Sequence, residues 1–280
     1  MSPAPARVSR VPGSANAAAP AVPISLVAYA PRERMRGILR AAFPRRRCRL
    51  ALTRAASEFA RVFRSTLVDA AVIDVAVPNE DLWHAAALAR DYPSIPFFAL
   101  TPLRAADAPA VARCVALDFA DILTEHVDDA VLRDLVLPLT FTHRFQLALS
   151  TPPPELGLTT HLRRAVWEQL VAHAGRPVRT DTVARALSVS REHLSRTFAA
   201  DGGANLKRTI DLVRLLAAAE LAKNPGYDVG DVARVLGFAS SSHLSTASQR
   251  ICGTKPASLA RLRAIDIIER FVQGRRRSRT

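Results

Sequence analysis

The side chains best suited to specific chemistry lie in two segments that repeat one another about fifty residues apart. The first has Val-Ala-Arg-Ala-Leu at 183–187 and His-Leu-Ser at 193–195. The second has Val-Ala-Arg-Val-Leu at 232–236 and His-Leu-Ser at 243–245. In each copy, small and apolar residues recur as on the inner face of a short helix, and polar residues follow on a second helix. Each copy therefore predicts a helix-turn-helix, whose exposed polar side chains could hydrogen-bond to the edges of DNA bases.

In the first copy, the candidate DNA-binding residues form one polar stripe after a predicted helix cap: Ser190, Arg191, Glu192, Ser195 and Arg196. Ser190 predicts the N-cap of the helix, and a helix N-terminus favours phosphate. Arg196 is the strongest candidate for a bidentate contact with guanine, and Glu192 could accept a hydrogen bond from cytosine. We expect His193 and Leu194 to face inward. A solvated charged face is the simpler alternative for this stripe.

In the second copy, the candidate residues are all short hydroxyls: Ser240, Ser241, Ser242, Ser245 and Thr246. Hydroxyls on short side chains reach phosphate or water more readily than base edges. We therefore expect the first copy to discriminate between sequences and the second to anchor the protein on DNA.

The charge of the chain is concentrated in the same half. Residues 156–280 contain 21 Lys and Arg against 10 Asp and Glu, so most of the net charge of +14 lies there. An excess of positive charge confined to one region is typical of a module that binds a polyanion, because neutralised phosphates release counterions. An Arg-rich composition alone would produce a similar excess, so the charge supports the repeat without replacing it.

The first half alternates apolar runs with amphipathic segments. Strands are predicted at 24–30, 49–53, 70–77, 97–101 and 120–124, and helices at 31–43, 57–67, 82–92, 105–117 and 128–137. Five β-α units in about 115 residues predict a parallel sheet with helices on both faces, in a flavodoxin-like α/β domain.

This α/β domain resembles the receiver domain of bacterial response regulators. Asp74 lies within Val-Ile-Asp-Val-Ala-Val-Pro at 72–78, at the carboxyl end of the third strand and in the place of the receiver phosphoacceptor, and Thr101 lies where the receiver has a switch Thr or Ser. The receiver's acidic pair after the first strand is replaced by Ala-Tyr-Ala at 28–30, and its Lys on the fifth strand is replaced by Glu125. Phosphoryl transfer needs a divalent ion and a fixed cation, so we expect a degenerate receiver that is not phosphorylated.

The second half reads as helices only, at 160–174, 180–187, 191–200, 205–223, 229–236 and 241–250, with a last helix opened by Pro256. Together with Gly-Phe at 237–238 and Gly253, the two repeats resemble the all-α double helix-turn-helix domain of AraC/XylS-type transcription regulators. The resemblance implies double-stranded DNA as a partner, with RNA polymerase and a second copy of the chain as candidate partners. Thr246 and Ser248 depart from the family, which has a basic residue and a Phe there, so we expect weaker local packing around Ser248.

Other classes of function find little support. Cys48, Cys114 and Cys252 are too widely spaced for a disulfide framework or a zinc site. Cys114 lacks the flanking glycines of a nucleophile elbow, and no segment offers the roughly 18 apolar residues of a membrane span. We therefore expect a cytoplasmic protein without catalytic residues, metal or cofactor.

The predicted organisation is a disordered Pro- and Ala-rich tail at 1–23, a receiver-like domain at 24–140, a linker at 141–157, a DNA-binding domain at 158–272 and a basic tail at 273–280. Prolines at 152–154 predict an extended spacer that separates the two domains. The tail arginines Arg275, Arg276, Arg277 and Arg279 could follow a phosphate backbone. The sequence favours a sequence-specific transcription regulator. Two alternatives stay open: a response regulator phosphorylated at Asp74, and an architectural protein that coats DNA without preference.

Overall fold

The computed structural model describes residues 22–77, 79–199 and 205–277. Most of the predicted N-terminal tail lies outside these residues, and so do the side chains of the four tail arginines.

The N-terminal domain is a five-stranded sheet with helices on both faces. The strands are β1 Ile24–Tyr29, β2 Cys48–Thr53, β3 Ala70–Asp74, β4 Phe97–Thr101 and β5 Asp121–Thr124. They pair in the order β2-β1-β3-β4-β5, and every pair is parallel. This is the strand order of flavodoxin-like folds, so the predicted fold class is confirmed. The helices are α1 Glu33–Ala42, α2 Ala56–Ser65, α3 Glu80–Ala87, α4 Ala108–Ala116 and α5 Asp129–Val136.

The central strands explain why the sequence forms this sheet. Every residue of β3 and β4 is buried, which fits the near-continuous apolar runs of strands that are covered by helices on both faces. Because the strands are parallel, their carboxyl ends lie along one edge of the sheet. That edge brings together Asp74 at the end of β3, Thr101 at the end of β4 and Glu125 directly after β5.

The C-terminal region contains helices and no strand among the described residues, as predicted. The helices are α6 Phe141–Ala148, α7 His161–Ala172, α8 Thr180–Ala186, α9 Arg191–Ala199, α10 Leu206–Leu221, α11 Val229–Val235, α12 Ser241–Cys252 and α13 Ala264–Arg277. Several boundaries differ from the prediction by a few residues, and the last helix begins later than expected. Pro256 begins a short 3-10 helix, Pro256–Arg261, and α13 starts only at Ala264.

Helix α10 joins the two helix-turn-helix units, α8–α9 and α11–α12. Its 16 residues span about 24 Å at 1.5 Å per residue. Most of its side chains are buried, including Ile210, Val213, Ala217 and Leu221, because α10 packs between the helices of both units. The connector is therefore part of the core and fixes how the two units sit relative to one another.

The expectation that an extended spacer separates the two domains is wrong. Within the predicted linker, α6 buries Phe141 and Phe145 in a core shared by both domains. The indole Nε1 of Trp167 in α7 donates to the carbonyl oxygen of Leu149 at 2.8 Å. Proline spacing predicts local stiffness but says nothing about apolar side chains upstream, and those side chains hold the domains together.

A buried ion pair ties the N-terminal domain to the segment before α8. The Asp69 carboxylate accepts hydrogen bonds from the backbone N–H of Ser25 at 2.6 Å and from Nη2 of Arg176 at 2.5 Å. The Thr142 hydroxyl also donates to Asp69, and Nη1 of Arg176 donates to the Thr142 oxygen. Asp69 is fully buried, so this network is shielded from water.

A second contact is made by α2 and by the segment before β4, which both bond to residues in or near α11. The Tyr92 hydroxyl donates to the carbonyl oxygen of Gly226 at 3.2 Å, and the Asn224 side chain bonds to both the N–H and the hydroxyl of Ser94. Nη1 of Arg234 on α11 donates to the carbonyl oxygen of Arg64 at the end of α2. The N-terminal domain thus packs directly on the second helix-turn-helix unit.

Candidate nucleic-acid interface

Helix α9 carries the candidate residues of the first unit. It begins after Ser190, whose hydroxyl oxygen accepts from the N–H of His193 at 3.1 Å, so the predicted N-cap is confirmed. Leu194 and Phe198 are buried and fix the inner face of the helix. The outer face exposes all four of the other predicted residues: Arg191, Glu192, Ser195 and Arg196.

His193 lies differently from its predicted position. It is exposed, whereas Leu194 is buried as expected. Leu194 and Phe198 are four residues apart and define the inward direction, and His193 precedes Leu194 by about 100° around the helix. That rotation adds an imidazole to the exposed stripe.

Two arginines make contacts at the ends of α9. The buried Arg163 of α7 donates through Nε and Nη2 to the carbonyl oxygen of Thr197, at 3.1 and 2.7 Å, which satisfies a carbonyl near the helix C-terminus. At the other end, Nε of Arg191 lies 3.6 Å from the Asp181 carboxylate, with both side chains more than half exposed. An exposed pair of this kind contributes at most about 1 kcal/mol, so Arg191 can exchange Asp181 for a phosphate.

Helix α12 presents the hydroxyls of the second unit. Ser240 caps it by accepting from the N–H of His243 at 3.1 Å. Ser241, Ser242 and Thr246 are exposed, and Ser245 is half-buried. The Thr246 hydroxyl donates to the Ser242 carbonyl at 3.0 Å, which leaves its oxygen as an acceptor. The structure therefore places all five predicted side chains at the outer face or the cap of α12.

The turn before α12 depends on Gly237. This residue has φ +64°, and a Cβ there would lie 2.4 Å from Cγ of Pro177. The next residue, Phe238, is buried beneath the Arg214 guanidinium, 3.8 Å from the ring centroid. Nη2 of Arg214 also donates to the Leu236 carbonyl oxygen at 3.0 Å. Burial lowers the pKa of Arg214, while the ring and the carbonyl compensate its charge.

The expected packing weakness at Ser248 does not arise. Ser248 is fully buried, and its hydroxyl donates to the Thr254 carbonyl oxygen at 2.6 Å. A hydrogen bond to the following loop thus takes the place of aromatic contacts. The sequence interpretation also missed Gln249 and Arg250, which are exposed at the end of α12. Arg250 pairs with Asp211 of α10, and its position one turn after Thr246 is the signal that could have identified it.

Asp74 lies at the carboxyl end of β3, as predicted, but its surroundings are unlike a metal site. The buried carboxylate receives a fork from Arg32, with Nε at 2.8 Å from Oδ2 and Nη2 at 2.5 Å from Oδ1. Nη2 of Arg32 also lies 2.5 Å from Oε1 of Glu125. Nε of Arg34 lies 3.4 Å from Oε2 of the same carboxylate. The hydrogen bonds to Asp74 are the main cause that raises the pKa of Arg32. We call this group of three, Arg32, Asp74 and Glu125, the arginine clasp.

Thr101 is also engaged within its own loop. Its hydroxyl donates to the Asp107 carboxylate at 2.8 Å, and its oxygen accepts from the N–H of Leu103 at 3.2 Å. The N–H of Arg104 bonds to the same carboxylate and lowers the pKa of Asp107. Thr101 is therefore held towards α4 rather than towards Asp74.

The described part of the chain shows no second site of metal or membrane type. No group of three or more His, Cys, Asp or Glu side chains is arranged to hold a metal ion there. None of the helices described is both long and apolar enough to cross a bilayer. All three cysteines are buried and free.

Comparison with known proteins identifies the region that carries both units. The family model for "Helix-turn-helix domain" matches residues 183–261, which confirms that interpretation for this segment. The HTH-type transcriptional regulator GlxA of Rhizobium meliloti (strain 1021) is 32% identical over 97 residues. The match covers 35% of this chain and 30% of that relative, so the chain spans less than a third of its length.

Two solved structures resemble the chain at a lower level. Full-length FixJ from B. japonicum has 15% identity and a TM-score of 0.36, covering 77% of this chain and 98% of that one. A Burkholderia pseudomallei response regulator with a phosphorylated aspartic acid has 18% identity and a TM-score of 0.35, covering 63% and 99%. At these TM-scores neither likeness bears on function, and the fold class follows from the strand order described above.

Proposed function

We propose that this chain, whose residues 183–261 are an AraC-type helix-turn-helix domain, is a sequence-specific DNA-binding transcription regulator that acts in the cytoplasm. The observation that carries the proposal is the arrangement of α9 and α12. Each has a serine cap at its N-terminus and an exposed polar face, and the buried helix α10 holds the two units together. Helix N-termini and exposed polar stripes are the parts of such units that meet phosphate and base edges.

The two helices have different roles in this proposal. Arg196 reads guanine through its guanidinium fork, and Glu192 selects against bases that offer no donor. Ser190 and Arg191 hold the phosphate backbone beside them, and Ser195 lies between the two groups. On α12, Ser240, Ser241, Ser242, Ser245 and Thr246 bind phosphate and water, so this helix sets position more than sequence.

Selection of bound sequences from a random pool of duplex DNA tests the proposal. We expect a motif with its strongest base preference in one half, corresponding to α9, and a second, weaker half about one helical turn away. Recovery of a pool without any enriched motif, by a protein that still retains DNA, would establish an architectural role instead.

The N-terminal domain is proposed to be a pseudo-receiver that works without phosphorylation. In support, the arginine clasp fills the ligand positions of Asp74 with a guanidinium that also contacts Glu125. An acceptor carboxylate must bind a divalent ion, which a fixed cation on its oxygens opposes, and it must approach a phosphoryl group, which a second carboxylate beside it opposes.

Incubation of the full chain with Mg²⁺ and acetyl phosphate, followed by intact mass measurement, tests this assignment. We expect no phosphorylated species from the wild type and none from Asp74→Asn. A mass gain in the wild type that disappears in Asp74→Asn would show a working response regulator.

Two partners complete the proposal. The pseudo-receiver supports a homodimer or contacts another protein, and RNA polymerase is the expected partner at a promoter. Sedimentation velocity of the full chain with and without its selected DNA measures the first, and pull-down of purified polymerase on that DNA measures the second. A strictly monomeric protein on a single site would remove dimerisation from the proposal.

A further inference from the structure

A groove of about 730 Å³ runs along the free edge of the sheet, beside β2. Its walls are α1 and α2, and its floor includes half-buried Leu50 and Leu52 with Val62 of α2. This volume is in the range of pockets that hold small organic ligands. The apolar floor is incompletely covered because β2 has a neighbouring strand on one side only.

The rim of the groove is strongly cationic. Four arginines line it, Arg36, Arg40, Arg45 and Arg49, and no acidic residue is among the lining side chains. Arg36 and Arg40 share the single carboxylate of Glu33, which also pairs with Arg54. Within the described residues, no ion pair engages Arg45 or Arg49. The groove therefore carries an uncompensated positive charge.

Arg36 adds a second indication of a ligand. Its side chain is only 14% exposed, and its Nε lies 3.4 Å from Glu33 without hydrogen-bond geometry. Among the described atoms this buried Nε has no hydrogen-bond partner. A buried donor without an acceptor is unfavourable, and an anion that enters the groove beside Arg36 would supply an acceptor.

We propose that this groove binds a small organic anion with an apolar body, and that it is the input site of the regulator. The arginine rim takes the anionic group, and Leu50, Leu52 and Val62 take the body. Thr66, directly after α2, also lines the groove. At the same end of α2, the carbonyl oxygen of Arg64 accepts a hydrogen bond from Arg234 of the second helix-turn-helix unit. The binding claim stands on the groove alone, whereas its role as input rests on the proposed function.

A small ligand fits the groove better than an added peptide strand. The lining includes Ser25, Leu26 and Val68, so the groove extends past the edge of β2 to the start of β1 and to the loop before β3. A strand paired to β2 would leave that depth unfilled. Arg49 also projects from the edge strand itself, and charged side chains at such positions oppose strand addition.

The test uses the full chain and the fluorescent anion anilinonaphthalene sulfonate, with decyl sulfate, inorganic phosphate and a peptide of alternating Val and Glu as competitors. We expect saturable binding of one dye per chain and displacement by decyl sulfate at far lower concentration than by phosphate. Displacement by the peptide but not by decyl sulfate would replace the proposal with strand addition. Equal displacement by phosphate and decyl sulfate would contradict an apolar subsite.

A matched pair of double variants locates the site. Arg45→Gln/Arg49→Gln removes two rim charges, and we expect it to weaken dye binding by about fivefold or more, as two lost ion pairs would. Arg46→Gln/Arg61→Gln removes the same charge from two exposed positions outside the groove and should stay within about twofold. Equal affinities in the two variants would overturn the proposal. All four arginines are exposed, and an unchanged melting temperature confirms that both variants fold.

Binding of the selected DNA, measured with and without decyl sulfate, separates this inference from the proposed function. We expect decyl sulfate to change the DNA affinity of the wild type and not that of Arg45→Gln/Arg49→Gln. If the chain binds the dye in the groove but retains no DNA, the proposed function fails and the binding site stands. If the wild type binds both and neither affects the other, the groove is not the input site.

Discussion

In the first helix-turn-helix unit the turn passes through Ser188 at φ +54°, and in the second through Gly237 at φ +64°. Both turns need a left-handed residue, but only the second lies against another part of the chain. The side chain of Ser188 is exposed, whereas a Cβ on Gly237 would collide with Pro177. The first turn therefore tolerates an L-residue at the cost of local strain, and the second tolerates only glycine.

The first helices of the two units differ in the same direction. Helix α8 buries two of its seven residues, whereas α11 buries four, including Asp231. The additional burial of α11 comes from α2 of the N-terminal domain, which packs on it. The segment of Arg176 and Pro177 also contacts both sides, because Arg176 pairs with Asp69 of the N-terminal domain and Pro177 lies against Gly237.

This asymmetry matches the chemistry of the two recognition helices. The unit embedded in the domain interface presents hydroxyls, which we propose hold a position, and the more open unit presents Arg191, Glu192 and Arg196. A fixed anchor and a separate discriminating helix can change independently, since Glu192 and Arg196 are exposed on the outer face of α9.

The largest expected effect is on the interface behind the second unit. Arg176→Met leaves the Asp69 carboxylate buried without its cation, so we expect a loss of about 3 kcal/mol in the free energy of unfolding. The bonds to Asp69 from Ser25 and Thr142 keep the loss near the lower end of the range for such pairs. Urea denaturation measures it. The matched variant in the first unit, Arg191→Met, breaks only the exposed pair with Asp181 and should cost less than about 1 kcal/mol. Similar losses in both would contradict the asymmetry.

The turns give the second comparison. Gly237→Ala combines a left-handed backbone for alanine with a contact to Pro177 that is too short, and we expect a loss of about 2 kcal/mol in the free energy of unfolding. Ser188→Gly relieves backbone strain in the folded state but adds entropy to the unfolded chain, so it should stay within about 1 kcal/mol of the wild type. Thermal unfolding of the two variants tests this. If Gly237→Ala left the melting temperature unchanged, Pro177 would move freely and would not restrict residue 237.

Sequence reasoning was sufficient where the signal is local. The alternating runs predicted all five strands, and the serine at 190 predicted where α9 begins, because an N-cap bonds to a backbone group three residues later. The position of Asp74 at the end of β3 follows from the apolar run before it. These features depend on neighbours within one helical turn or one strand.

The features that were missed join distant residues. Arg32 and Glu125 of the arginine clasp are 93 positions apart, and Asp69 and Arg176 are 107 apart. No periodicity or cap connects such residues, and the pairing depends on how the layers stack. The prediction of a separating spacer from the prolines at 152–154 was wrong for the same reason. The contacts that join the domains are made by α6 and Trp167, which precede and follow these prolines.

The third prediction concerns specificity. Arg196→Ala should remove a preference of about 1–3 kcal/mol at one base pair of the selected motif, since no other exposed side chain of α9 offers a guanidinium at that position. Repeating the pool selection with the variant measures it, and an unchanged motif would show that Arg196 reads no base.

Truncation after Gly274 is the contrasting variant. It removes four arginines and the last residues of α13, and it leaves both recognition helices, α9 and α12, whole. It should weaken binding to all sequences alike and reduce the salt dependence of the affinity by up to about 4 in the logarithmic slope. A change of motif on truncation would move sequence reading from α9 to the tail.

The smallest expected effect lies on the second recognition helix. Ser245→Ala and Thr246→Ala remove hydroxyls that reach phosphate or water, so each should weaken binding by no more than about 1 kcal/mol and leave the selected motif unchanged. Thr246 also donates to the Ser242 carbonyl, so its loss acts partly within the helix. Pool selection and titrations with the selected duplex separate the two effects. If Thr246→Ala instead changed a base preference as strongly as Arg196→Ala, both units would read sequence, and the distinction between an anchoring and a discriminating helix would be wrong.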